Sequence, residues 1–89
     1  MAKAEISWVR TSEEGAKLQV YAHRSGGRWK FYSRERRFDQ WQELEHPPLG
    51  DWLELLDAVR RRVQRRLLPP QELQRIEQSI REQFPEAKF

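Results

Sequence analysis

Three segments in the first half of the chain alternate hydrophobic and polar residues with a period of two, which predicts β-strands. The predicted strands cover about residues 4–10, 17–24 and 28–34. A Ser-Gly-Gly segment at 25–27 and a Glu-Glu-Gly segment at 13–15 separate them. Glycine adopts the positive φ angles that tight hairpins require. The pattern therefore predicts an antiparallel β-meander.

The next segment, residues 37–44, fits two interpretations. Phe38, Trp41 and Leu44 recur at every third position in a composition that favours a helix. A fourth strand would instead extend the meander, and strand spacing would then place Trp41 on the opposite face from Phe38 and Leu44 unless a bulge intervened. We favour a fourth strand at about 37–44, with the helix as the alternative. The His-Pro-Pro sequence at 46–48 ends either element.

The second half of the chain predicts two amphipathic helices, at about residues 50–67 and 70–84. Apolar residues recur there at spacings of three and four, which places one apolar stripe on each helix. Asp51 is the expected N-cap of the first helix, and Pro70 is expected near the first turn of the second. The stripes consist of Trp52, Leu55, Leu56, Val59, Val63 and Leu67, and of Leu73, Ile76, Ile80 and Phe84. The predicted fold class is α+β, a meander of three or four strands followed by two helices, in a single domain spanning residues 1–89.

The composition bears on whether this fold can form a hydrophobic core, because aliphatic residues are few in a chain of 89 residues. Four Trp, four Phe and two Tyr compensate, since each ring supplies roughly 150–250 Å² of surface that can be buried. The chain contains no cysteine, which excludes disulfides, thiolate zinc sites and thiol catalysis. Neither a stretch of about 18–20 apolar residues nor a secretory signal pattern is present, so a soluble, cytoplasmic protein that contacts no membrane is expected.

The formal net charge of +3 conceals separate charged blocks. Residues 1–37 carry nine basic and four acidic groups, residues 38–57 carry six acidic and no basic groups, and residues 58–69 carry five arginines and no acid. The arginines of the 60–66 segment follow acidic residues in the same predicted helix, an order that matches the helix macrodipole. We interpret them as a solvated helix end. The alternatives are a nucleic-acid or anion site that uses Arg61, Arg62 and Arg65, and a site for a protein partner.

A second candidate surface is the polar face of the predicted hairpin, opposite Leu18, Val20, Trp29 and Phe31. Aromatic rings interleaved with basic groups can form a stacking platform for single-stranded nucleic acid. Cross-strand tyrosine pairs also stabilise ordinary sheets, and this is the interpretation that we favour. A third interpretation is that the second predicted helix covers this face. The residues predicted on this face are Tyr21, His23, Lys30, Tyr32 and Arg34.

The sequence gives little basis for catalysis. The only histidines, His23 and His46, lack the spacing of a metal site, and no serine lies in a nucleophile-elbow context. We therefore expect no catalytic residues, no cofactor and no metal. The predicted function is a non-catalytic protein-interaction or accessory module whose partner is another protein. The alternative is nucleic-acid binding through the basic aromatic sheet face and the arginines at 60–66, which the sequence pI of about 9.7 favours. The oligomeric state is not predicted.

Overall fold

The computed structural model describes residues 5–89, so Ala4, where the first strand was predicted to begin, lies outside the described residues. The chain forms two compact units, of which the first ends at His46 and the second begins at Pro47. Strands form the first unit and helices the second, which confirms the predicted α+β class. Neither helix is long and apolar enough to cross a membrane.

The first unit is an antiparallel sheet of four strands in the order β1-β2-β3-β4. The strands cover Glu5–Thr11 (β1), Lys17–Ser25 (β2), Arg28–Arg34 (β3) and Gln42–Leu44 (β4). Gly26 and Gly27 both have positive φ angles, 58° and 79°, and they connect β2 to β3 as a tight hairpin requires. The meander and its hairpin turn follow the sequence prediction.

Strand β4 is shorter than predicted, three residues instead of the 37–44 segment. The preceding residues form a turn in which Asp39 N–H donates to the Arg36 carbonyl at 3.0 Å. The Asp39 carboxylate in turn accepts from Arg36 N–H at 3.1 Å. These local hydrogen bonds compete with strand pairing, and they leave Phe38 at the turn with 92% of its surface exposed.

The register assigns every sheet residue to one of two faces. Ile6 pairs with Ala22, Ala22 with Phe31, and Phe31 with Leu44. We call this the inner face, because its members Ile6, Val20, Ala22 and Phe31 are all buried. Trp29 lies on the inner face as predicted but is only partly buried.

The second unit is a helical hairpin of α1 (Leu49–Gln64) and α2 (Gln71–Gln83). The residues that recur at helical spacing supply its core, and the fully buried ones are Leu55, Val59, Ile76 and Ile80. One prediction of a helix start was wrong: the N-cap of α1 is Pro48 instead of Asp51, which lies buried within the first turn. Pro70 is the N-cap of α2 and so lies directly before its first turn, near the predicted position.

Helix α1 ends before residue 67 because Arg66 adopts the left-handed backbone conformation, with a φ of +61°. Arg66 N–H donates to the Val63 carbonyl at 3.0 Å, and Leu67 N–H donates to the Arg62 carbonyl at 2.8 Å. This pair of hydrogen bonds is a Schellman motif, which normally has glycine at the left-handed position. Leu67, predicted as the last member of the apolar stripe, therefore leaves the helix and is 66% exposed.

Because a side chain at positive φ is strained, Arg66→Gly is expected to increase the free energy of unfolding by about 0.5–1 kcal/mol. That gain would raise Tm by about 2–8 °C, measurable by thermal unfolding followed by circular dichroism. The control is Arg65→Gly, since Arg65 has a φ of −89° that any residue adopts, and this change should lower Tm. If Arg66→Gly and Arg65→Gly changed Tm by the same amount, the assignment of a Schellman motif at Arg66 would be contradicted.

Candidate binding surface

The second face of the sheet, which we call the outer face, brings together all five sheet residues that the sequence singled out. Tyr21 pairs with Tyr32 and His23 pairs with Lys30, while Arg34 pairs with Gln19. None of these side chains is fully buried. Strand alternation therefore places this whole candidate set on one accessible surface.

Three aromatic rings form a cluster at the centre of the outer face. The rings of Tyr21 and Tyr32 are stacked, with centroids 4.9 Å apart and an angle of 18° between planes. Trp41 meets Tyr21 edge to face, at 4.6 Å and 85°. Offset or edge-to-face contacts of this kind stabilise aromatic pairs. We call Tyr21, Tyr32 and Trp41 the aromatic cluster.

Arg34 is held beside the aromatic cluster by two contacts. Its guanidinium carbon lies 4.1 Å from the centroid of the Trp41 ring, a cation–π distance. Its Nε donates to Gln19 Oε1 at 2.7 Å. These contacts fix the plane of the guanidinium group on the outer face.

A groove of about 710 Å³ lies along the outer face next to these residues. Val9 contributes an apolar patch to it and is 60% exposed. The groove is lined by Glu5, Ser7, Trp8, Val9, Gln19, Val20, Tyr21, Arg34 and Trp41. It combines aromatic, aliphatic and charged groups, which is the composition of a surface that can bind a ligand with mixed chemistry.

Partial burial in the cluster raises the pKa of the Tyr21 hydroxyl above its ordinary value, and the neighbouring Tyr32 and Glu5 raise it further. A tyrosine hydroxyl is already protonated at neutral pH, and this upward shift of the pKa favours the protonated form further, so the group can donate a hydrogen bond to a ligand.

The three candidate arginines of α1 lie in the helical unit. Arg61 forms a salt bridge with Asp57 one turn earlier, as the sequence spacing predicts. Arg62 donates through Nη1 to the Ala58 carbonyl at 3.2 Å, and Arg65 is exposed. Since both members of the Arg61–Asp57 pair are more than half exposed, solvent screening makes this bridge weak. Two of the three arginines thus have partners within their own helix.

The sequence analysis missed Trp41 and Gln19 as members of the surface. Gln19 lies on the outer face by strand parity alone, so its position could have been read from the alternation in β2. Trp41 precedes β4, and its parity matches that of Glu43, the partner of Tyr32. The sequence therefore predicts the sheet face of Trp41 only if this segment is a strand and not a helix.

Within residues 5–89, no group of three or more His, Asp or Glu side chains is arranged to hold a metal ion. No protein-family model matches the chain, and neither a curated protein nor a solved structure matches it significantly.

Proposed function

We propose that this protein is a non-catalytic protein-interaction module that binds its partner through the aromatic cluster and Arg34. The observation that carries the proposal is the composition of that surface. Tyrosine, tryptophan and arginine are the residue types enriched among the energetic hot spots of protein interfaces. Here they contact one another on an accessible face, beside a groove.

The orientation of the rings favours a protein partner over nucleic acid. Base stacking requires open ring faces. One face of Tyr21 is stacked on Tyr32, and the guanidinium of Arg34 covers one face of Trp41. Each of these two rings therefore has one face already occupied, whereas the ring edges and the tyrosine hydroxyl groups suit hydrogen bonds and apolar contacts with a polypeptide.

The proposal is tested with a displayed library of random peptides selected on the wild-type protein. We expect enriched peptides whose dissociation constants rise about 30-fold or more in Trp41→Ala, the loss typical of a hot-spot residue. Fluorescence polarisation with the labelled peptides measures this change. Phe38→Ala is the control, because it removes an exposed aromatic ring from outside the cluster.

Three results would overturn the proposal. The first is that the affinity of no enriched peptide depends on Trp41, and the second is that Phe38→Ala weakens peptide binding as much as Trp41→Ala does. The third is tight binding of mixed oligonucleotides that falls steeply between ~50 and ~200 mM salt, which would identify a nucleic-acid-binding protein instead.

A further inference from the structure

Arg34 combines a fixed position with unused hydrogen-bonding capacity. The Trp41 ring and Gln19 hold the guanidinium by its face and by Nε. Arginine presents five N–H donors, and within residues 5–89 the structure shows no carboxylate paired with Arg34. Its two terminal amino groups are therefore available to a ligand.

A guanidinium fixed in this way is suited to binding a carboxylate. Its planar fork matches the two carboxylate oxygens, and the resulting charge-assisted hydrogen bonds are stronger than neutral ones. Because the side chain is already ordered, binding would cost less conformational entropy than binding to a freely rotating arginine.

The charged groups that line the groove, Arg34 and Glu5, have opposite signs, so the groove itself has no excess of positive charge to attract a polyanion. Glu5 lines the groove, and Glu43 lies on the same face opposite Tyr32. The register places the Cα atom of Glu5 two strands and four residues away from that of Arg34, roughly 16 Å, and the two side chains form no ion pair. A chain of phosphates would meet these carboxylates, whereas a segment with one anionic group could place it on Arg34 alone.

We propose that the outer-face groove binds an extended peptide segment of the partner, with one aspartate or glutamate side chain seated on Arg34. This inference rests on the proposed function and specifies the chemistry of its partner. The roughly 16 Å between Arg34 and Glu5 corresponds to about five extended residues. The remaining side chains of such a segment would meet Val9, Tyr21 and Trp41, which favours apolar or aromatic neighbours of the acidic residue.

The test is a positional-scanning library of C-terminally amidated decapeptides, in which side chains are the only source of carboxylates. We expect the wild-type protein to prefer Asp or Glu over Asn or Gln at one position by about 10-fold or more, as for a charged hydrogen bond. Arg34→Gln should abolish this preference. Arg34→Lys should weaken it, because lysine keeps the charge and loses the planar fork.

Arg28→Gln is the matched control, since Arg28 is an exposed arginine of β3 that pairs with Ser25 and does not line the groove. This variant should retain the preference for an acidic residue. Melting curves of all variants establish that each is folded before binding is compared.

Peptide binding without an acidic preference, or a preference that survives Arg34→Gln, would overturn this inference and leave the proposed function intact. Loss of the preference in Arg28→Gln to the same extent would overturn it too, because the preference would then depend on the net charge of the protein and not on Arg34. If no peptide binds at all, the proposed function fails and the inference fails with it.

Discussion

Replacement of Phe31 by alanine is expected to lower the free energy of unfolding by about 3–5 kcal/mol, the usual cost of truncating a large aromatic residue in a core. Phe31 is 1% exposed and lies at the centre of the inner face, between Ala22 and Leu44. Its ring meets Trp8 edge to face at 6.1 Å. The substitution removes this aromatic contact and leaves a cavity that the paired strands cannot readily close.

Urea unfolding followed by far-UV circular dichroism measures this loss, and Phe38→Ala provides the same substitution at an exposed site. Phe38 is 92% exposed, so its replacement should change the free energy of unfolding by less than about 0.5 kcal/mol. A loss below about 1 kcal/mol for Phe31→Ala would contradict our assignment of the inner face. Equal losses for the two variants would do so as well.

The first three strands could be predicted because one physical rule governs them. Alternation with a period of two assigns each residue to a face, and the glycines at the turn fix the register of the hairpin. That rule alone predicts that Tyr21, Tyr32 and Arg34 lie together on one face of the sheet. It needs no information about the rest of the chain.

Strand β4 and Trp41 could not be placed in the same way. Spacing of three among Phe38, Trp41 and Leu44 is compatible with a helix, and the segment carries no glycine or proline to mark a turn. The turn forms through hydrogen bonds between Arg36 and Asp39, which depend on side-chain geometry as well as on residue type. Its position decides that Trp41 joins the aromatic cluster while Leu44 lies on the inner face.

The end of α1 shows a different limit of sequence reasoning. Periodicity continues through Val63 to Leu67, so the hydrophobic pattern alone extends the helix. The helix stops because Arg66 adopts the left-handed conformation that glycine usually provides. An arginine at that position does not indicate a helix end, and nothing in the sequence distinguishes Arg66 from the four other arginines of this segment.

Leu55→Ala is expected to lower the free energy of unfolding by about 2–5 kcal/mol, because Leu55 is fully buried and its truncation leaves a cavity in the helical unit. Leu67→Ala makes the same chemical change at a residue that the periodicity also assigned to the apolar stripe. Since Leu67 lies beyond the Schellman motif and is 66% exposed, its replacement should cost less than about 0.5 kcal/mol. Urea unfolding of both variants measures the difference. Similar losses at the two positions would mean that α1 continues to residue 67 and that the hydrophobic pattern, not the reversal at Arg66, determines where it ends.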